Sequence, residues 1–201
     1  MNESDVFDDI IVGAGSSGCV MANRLSADPN NRVLLLEAGG SNRRLTISIP
    51  KGAAIVLAGD EHVWRFPVEQ SRAAGRPADA VWMRGRVMGG GSSVNGMIYS
   101  RGHWRDYDDW ATAGGPAWSW DSMKQVYRTI EDHELGANDY RGAGGPLRVS
   151  AGSFRYPLAD AMIDAGGELG LPKRDDLNHP DLEGIGYYAH TIRRGRRESG
   201  A

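Results

Sequence analysis

The chain is poor in the residues on which several classes of protein depend. Of its 201 residues only Cys19 is a cysteine, which excludes an internal disulfide and a metal site built from several cysteines. No stretch approaches the roughly 20 apolar residues of a membrane-spanning helix, so no membrane span is expected. A net charge of −3 gives no electrostatic basis for binding nucleic acid. The acidic first residues lack the features of a secretory signal, and we therefore expect a cytoplasmic location.

Glycine, in contrast, is abundant, and its first cluster follows a short apolar run at residues 9–12. This run predicts a buried strand, and residues 16–25 predict the helix that follows the cluster. Between them lies the GxGxxG pattern that binds a pyrophosphate in dinucleotide-binding folds. Its residues are Gly13, Ala14, Gly15, Ser16, Ser17 and Gly18.

A second apolar run at residues 32–36 predicts a parallel strand and ends at Glu37. An acidic residue about 20 positions beyond the glycines is placed to accept hydrogen bonds from a ribose hydroxyl. Strand, loop, helix, strand and acid together form a βαβ nucleotide-binding unit. This unit alone leaves both NAD and FAD open as the cofactor.

The second glycine cluster lies in the segment Gly85–Gly102, which reads GRVMGGGSSVNGMIYSRG. Together with DDIIVGAGSSGCVMANRLS and VLLLEAGG, this segment resembles the glucose-methanol-choline family of flavoprotein oxidoreductases. The resemblance implies an α/β fold with a Rossmann-like FAD-binding domain and the start of an α+β substrate domain. It also implies oxidation of a small-molecule alcohol at its CH–OH group, with hydride transfer to flavin N5, and a possible homo-oligomer. The second cluster favours FAD over NAD.

The resemblance also assigns cofactor contacts to individual residues. Besides the GxGxxG residues and Glu37, the predicted set comprises Ala38, Val87, Gly89, Gly90, Ser93, Asn95, Gly96, Met97 and Ile98. Some family members attach the flavin covalently through a histidine at the position of Val94. Because valine cannot form that bond, we expect FAD to be bound non-covalently.

The resemblance divides the chain into an FAD-binding domain, residues 1–145, and an incomplete substrate domain, residues 146–201. Residues 41–76 would form a lid over the cofactor, in which Trp64 faces either the flavin or the core. The apolar spacing predicts a short helix at 53–57, a strand at 63–68 and an amphipathic helix at 119–134 with its apolar stripe in the core. Further on it predicts strands at 147–149 and 187–193.

None of the five histidines matches the late family motif that supplies the catalytic base, so no catalytic residue is assigned. They are His62, His103, His133, His179 and His190. Residues 195–201 read as a polar, uncapped tail, and the fold is expected to be truncated. Three functions remain: the N-terminal part of an FAD-dependent alcohol oxidoreductase, a non-catalytic FAD-binding or interaction module, and an NAD-dependent enzyme. The isolated chain is expected to be inactive.

Overall fold

The computed structural model describes residues 6–69 and 80–201. Its helices are α1 (Ser16–Leu25), α2 (Leu45–Ser48), α3 (Ala53–Ala58), α4 (Trp104–Gly114), α5 (Trp120–Ile130) and α6 (Pro157–Glu168). Its strands are β1 (Asp9–Val12), β2 (Val33–Leu36), β3 (Val63–Val68), β4 (Ala80–Gly85), β5 (Ile98–Tyr99), β6 (Glu131–His133), β7 (Leu147–Val149), β8 (Ala189–His190), β9 (Ile192–Arg193) and β10 (Arg196–Arg197). Three-residue or four-residue 3₁₀ turns occupy Pro50–Gly52, Gly90–Ser93 and Pro116–Trp118.

The chain forms two compact units. The first contains residues 1–96 together with 195–201, and the second contains residues 97–194. The polar segment at 195–201 is therefore part of the first unit. The boundary predicted near Gly145 separates a cofactor-binding domain from a substrate-binding domain. These two domains are defined by what they bind, and the boundary stays a prediction.

The βαβ unit predicted at the start of the chain is confirmed. Strands β1 and β2 pair in parallel, with Asp9 opposite Val33 and Val12 opposite Leu36. Helix α1 contacts both strands. The expectation that these strands are fully buried is wrong for Val12, which is 84% exposed, because the described sheet has only two strands and helix α1 covers one of its faces.

The segment predicted to form a lid contains the short helices α2 and α3 and the first strand of a β-hairpin. Helix α3 and strand β3 agree with the predicted elements, and β3 pairs antiparallel with β4, with Val63 opposite Gly85. Residues 70–79 connect the two strands, so the end of the predicted lid at 70–76 lies outside the described residues.

The second unit corrects two predicted elements. Helix α5 ends at Ile130, because residues 131–133 form strand β6, which pairs in parallel with β7. Its apolar stripe is only partly covered, since Val126 is 49% exposed. The strand predicted at 187–193 is two short strands, β8 and β9, with Thr191 between them.

Each unit has its own buried centre. In the first unit an aliphatic cluster joins Ile47, Val56, Val87 and Val94, and burial of each such side chain contributes about 1.5–3 kcal/mol. In the second unit the centre is ionic, and it is described with the histidines below. No helix in the described ranges 6–69 and 80–201 is both long enough and apolar enough to cross a membrane.

Candidate cofactor-binding site

The first glycine loop has the geometry that the GxGxxG pattern predicts. Gly13 has φ +96°, a conformation that favours glycine, and its N–H donates to the Leu36 carbonyl at 2.7 Å. A Cβ at Gly18 would lie 2.0 Å from the Gly13 carbonyl oxygen, so only glycine permits this close approach of helix and loop. The exposed Ser16 and Ser17 lie in the first turn of α1, and the N-cap residue Gly15 provides no side-chain cap. The unsatisfied N–H groups of such a turn favour an anion.

Glu37 holds this loop in place. One carboxylate oxygen accepts the Ala14 N–H and the other accepts the Gly39 N–H, both at 2.8 Å. A carboxylate has about four acceptor positions, so these two bonds leave capacity for a ribose hydroxyl. The predicted ribose contact stays a prediction, and the structure adds a role in fixing the loop that the sequence did not reveal.

The second glycine cluster packs directly on the first. The Gly89 N–H donates to the Ala14 carbonyl at 2.7 Å. A Cβ at Gly90, which has φ +53°, would lie 2.8 Å from the Gly15 Cα. The two clusters are separated by about 70 residues in the sequence, yet they form one surface.

The turn that follows is closed by its own serines. Ser92 Oγ donates to the Gly89 carbonyl at 2.6 Å, and Ser93 Oγ donates to the Met88 carbonyl at 2.7 Å. Ser93 is fully buried. Its side chain therefore shapes the turn, and its predicted contact with the cofactor stays a prediction.

A cavity of about 580 Å³ opens where the two loops meet. Its walls combine the apolar ends of β1 and β2, the glycine loops and the hairpin of β3 and β4. The lining residues are Val12, Gly13, Gly15, Leu36, Glu37, Ala38, Trp64, Arg84, Gly85, Gly90 and Gly91. The cavity is therefore lined by the glycines expected to meet a pyrophosphate and by the acid expected to meet a ribose.

A second cavity, of about 530 Å³, shares Arg84, Gly85 and Gly91 with the first. Its other lining residues are Leu57, Val81, Trp82, Met83, Val94 and Asn95. One cavity thus offers glycines and a carboxylate, and the adjoining one offers aromatic and aliphatic walls with an amide. A polar nucleotide joined to a flat apolar ring system fits this order of surfaces.

The glycines leave room for such a molecule. A Cβ built at Gly15 or at Gly91 would meet no protein atom within 4 Å, although both residues line the first cavity. The backbone at these positions is consequently open to a ligand. The residues present fit a flavin dinucleotide on this observation.

Two valines of the loop have different surroundings. Val87 is fully buried in the aliphatic cluster, and it lines neither cavity. Val94 also belongs to that cluster, but it contributes to the wall of the second cavity. Its saturated side chain carries no group able to bond covalently to a ring.

The last predicted contacts are divided between the units. Asn95 and Gly96 belong to the first unit, whereas Met97 and Ile98 belong to the second. Met97 is buried with φ +62°, an unusual conformation for a residue with a side chain, and its carbonyl accepts the Thr191 N–H at 2.8 Å. Ile98 is 54% exposed. Their predicted contacts with the flavin stay predictions.

Sequence reasoning missed several residues of this region. One of them is Arg84, which lines both cavities. Trp64, for which the sequence left the flavin and the core open, lines the first cavity, and Arg86 Cζ lies 4.9 Å from its ring centroid. The expected polar tail is wrong for Arg197, which is buried and hydrogen-bonded within the first unit. The one sequence feature that could have pointed to Arg197 is the GxRxS pattern of residues 195–199.

None of the five histidines is among the residues that line the two cavities. His103 caps α4, with its Nδ1 accepting the Arg105 N–H at 3.1 Å. Within the described residues no group of three or more His, Cys, Asp or Glu side chains could hold a metal ion.

The buried centre of the second unit is a network of ion pairs. Arg101 and the Tyr99 hydroxyl both bind the same oxygen of Glu131, and the Gly142 N–H donates to the other at 2.9 Å. Burial and Glu131 together raise the pKa of Tyr99, which stays neutral. Glu131 is fully buried, so the network holds β6 and the segment 100–102, which contains Arg101, in place.

His133 and Asp176 lie beside this network, with 3.9 Å between Nε2 and Oδ2. Burial lowers the pKa of His133 below its usual value of 6.5. Burial would raise the pKa of Asp176, but the Asn178 N–H, Arg141 and His133 outweigh it and lower that pKa. His133 is therefore neutral and Asp176 charged near neutral pH.

Comparison with known proteins shows the family of this chain. The family model described as GMC oxidoreductase matches residues 7–201. The chain belongs to the GMC oxidoreductase family.

Two curated relatives and one solved structure illustrate the similarity. The chain is 43% identical over 205 residues to mitochondrial choline dehydrogenase from Homo sapiens, covering 98% of this chain and 34% of that protein. It is 39% identical over 197 residues to alcohol dehydrogenase [acceptor] from Pseudomonas putida, covering 98% of this chain and 36% of the relative. The crystal structure of pyridoxine 4-oxidase from Mesorbium loti superposes with a TM-score of 0.89 at 39% identity, covering 98% of this chain and 38% of the other.

This GMC chain spans about a third of the length of the curated relatives it matches. Two expectations from the sequence are confirmed. The fold is α/β with parallel strands, and the chain corresponds to the N-terminal, FAD-binding region of the family. GMC oxidoreductases are FAD-dependent, which favours FAD over the NAD alternative.

Proposed function

We propose that this chain binds FAD non-covalently and forms the cofactor-holding part of an oxidoreductase that acts on the CH–OH group of a small alcohol. The observation that carries the proposal is the packing of Gly89 and Gly90 on Ala14 and Gly15, beside two adjoining cavities. When bound, FAD supplies the two-electron redox chemistry of alcohol oxidation. Everything else in the proposal concerns how the protein holds it.

Each part of the dinucleotide has a matching surface. The N–H groups at the start of α1 favour the pyrophosphate, and the Glu37 carboxylate favours a ribose hydroxyl. Val94 and Asn95 offer an aliphatic and an amide contact to the ring system in the second cavity. Trp64 contributes to the wall of the first cavity, and Arg84 contributes to the walls of both.

Non-covalent attachment is supported by the surroundings of Val94. Its side chain packs with Ile47 and Val87 in the aliphatic cluster, where no nucleophile is available to the ring. The flavin is consequently retained by hydrogen bonds and packing alone.

A non-catalytic FAD-binding role for the isolated chain is the second candidate. It is favoured by the position of the histidines, none of which lines either cavity. The alcohol, the electron acceptor and any homo-oligomer belong to the proposal for the longer family members.

Spectroscopy and turnover separate these functions. The purified chain, refolded or expressed with FAD and freed of excess cofactor, is expected to be yellow with flavin absorbance, and NAD should not compete for the site. A colourless protein that binds NAD would overturn the FAD proposal. Alcohol oxidation with an artificial electron acceptor is expected to be absent from the 201-residue chain, and measurable turnover would eliminate the non-catalytic role.

A further inference from the structure

Arg197 is a buried cation at the back of the second glycine cluster. Its Nε donates to the Ile47 carbonyl at 3.0 Å, and its Nη1 donates to the Ser92 carbonyl at 3.1 Å and to Asn95 Oδ1 at 2.7 Å. The residue is 9% exposed. One guanidinium therefore connects α2 with Ser92, inside the 3₁₀ turn, and with Asn95, which follows it.

No carboxylate of residues 6–69 or 80–201 forms an ion pair with Arg197. All three acceptors are neutral oxygens, and Nη2 is buried without a hydrogen-bond partner among the described residues. Burial lowers the pKa of the guanidinium, and no acid in the described part of the chain opposes that change. Burying a cation without a counter-ion costs desolvation free energy. An apolar side chain at this position would avoid that cost if the residue had only a packing role.

The hydrogen bond to Asn95 has a directional consequence. A guanidinium only donates, so only the carbonyl end of the Asn95 amide can face it. The amide is thereby fixed in one of its two orientations. Asn95 lines the second cavity, and Arg197 therefore lies one hydrogen bond behind that wall.

Neighbouring bonds hold Arg197 itself in place. The Gly200 N–H donates to Ser92 Oγ at 2.9 Å, and Asn42 Nδ2 donates to Ser199 Oγ at 3.1 Å. Two residues that follow Arg197 are thus held by Asn42 and by Ser92, which limits the movement of the segment that carries the guanidinium.

We propose that Arg197 is a positioning residue of the flavin site, which orients the Asn95 amide and places a fixed positive charge behind the ring-binding cavity. This inference rests on the proposed function. A fixed positive charge near a bound flavin favours the electron-rich reduced cofactor, so Arg197 raises the midpoint potential as well as the affinity for FAD.

The test compares Arg197→Met and Arg197→Lys with the unmodified chain. FAD dissociation constants, the midpoint potential of the bound flavin and the unfolding of the apoprotein are measured for each. Arg197→Met is expected to bind FAD at least about tenfold more weakly, the loss of one charge-assisted hydrogen bond, and to have a more negative potential. Arg197→Lys retains the charge but not the planar fork, so its potential should stay near that of the unmodified chain while its affinity falls.

Arg196→Met is the matched control, because Arg196 is the adjacent residue of β10 but is exposed. It is expected to leave affinity and potential unchanged. Asn95→Leu provides an independent route, since a residue that acts through Asn95 should show non-additive effects in the double variant.

The outcomes are distinguishable. Folded Arg197→Met with unchanged FAD affinity and potential would overturn the inference, even if its apoprotein were less stable, since that result indicates a structural role only. Strictly additive effects of Arg197→Met and Asn95→Leu would overturn the claim that one acts through the other. Failure of the unmodified chain to bind FAD would instead overturn the proposed function and, with it, this inference.

Discussion

Gly90 and Gly15 lie so close that a Cβ on Gly90 would come within 2.8 Å of the Gly15 Cα. This approach joins the two glycine clusters into one cofactor surface, and neither cluster would form that surface alone. The glycines of the second cluster therefore serve the packing of backbone on backbone as well as access to a ligand. Their substitution should affect cofactor binding through the position of the loop.

Gly90→Ala is expected to weaken FAD binding strongly and to destabilise the first unit by about 1–3 kcal/mol, because it combines a positive φ with a backbone clash. Gly40→Ala is the matched control, since a Cβ there would meet no atom within 4 Å. FAD titration and denaturant unfolding of both variants measure the difference. Equal behaviour of the two variants would show that the contact of Gly90 with Gly15 does not shape the site.

Glu37→Gln should reduce FAD affinity by about tenfold, because an amide cannot accept both the Ala14 and the Gly39 N–H as the carboxylate does. Loop geometry and ribose contact would both be weakened. Glu61→Gln, an exposed acid of the same unit, is expected to bind FAD normally. Isothermal titration compares the two, and normal affinity in Glu37→Gln would contradict the role given to its carboxylate.

Glu131→Gln should destabilise the second unit by about 3–5 kcal/mol, because it leaves the buried Arg101 without its counter-ion. Asp164→Asn removes an acid whose pair with Lys173 is exposed, and its cost is expected to be at most about 1 kcal/mol. Urea unfolding of both variants provides the measurement. Similar midpoints would argue against an ionic centre in this unit.

Stability should decrease as the pH falls below 6.5, the usual pKa of histidine, because the folded chain keeps His133 neutral while the unfolded chain binds a proton there. Asp176 adds a separate loss at lower pH, beginning below 3.8, since its folded pKa is depressed. The His133→Leu variant should show a smaller difference in unfolding free energy between pH 8 and pH 5. An unchanged difference would place the acid sensitivity elsewhere.

Denaturation is expected to release all of the flavin, because Val94 offers no covalent attachment. The chain loaded with FAD is precipitated with acid, and flavin absorbance is measured in the supernatant and the pellet. Colour retained by the washed pellet would contradict non-covalent binding.

Local patterns predicted the nucleotide-binding unit well. The elements 9–12, 16–25 and 33–36 follow from apolar runs and glycines that are neighbours in the sequence. Helix α5 was predicted too long because residues 131–134 continue a helical pattern, whereas Glu131 enters a parallel pairing with Leu147. Such a pairing is a tertiary effect that a local period cannot reveal.

Arg197 shows the same limit within the candidate site. Its hydrogen bond to Asn95 joins residues 102 positions apart in the sequence. The residues around Arg197 are polar, and such a composition predicts an exposed tail. Glu37 illustrates the intermediate case, since its place after β2 predicted a ligand contact but not its bonds to Ala14 and Gly39.

The return of residues 195–201 to the first unit has a consequence for biosynthesis. During translation the glycine loops leave the ribosome early, but the guanidinium that secures their turn emerges only after the whole second unit has been made. Until then the first unit lacks residues 195–201. Contacts between residues so far apart in the sequence also form slowly. Maturation of the cofactor surface is therefore coupled to the synthesis of a segment that contributes no lining residue to it.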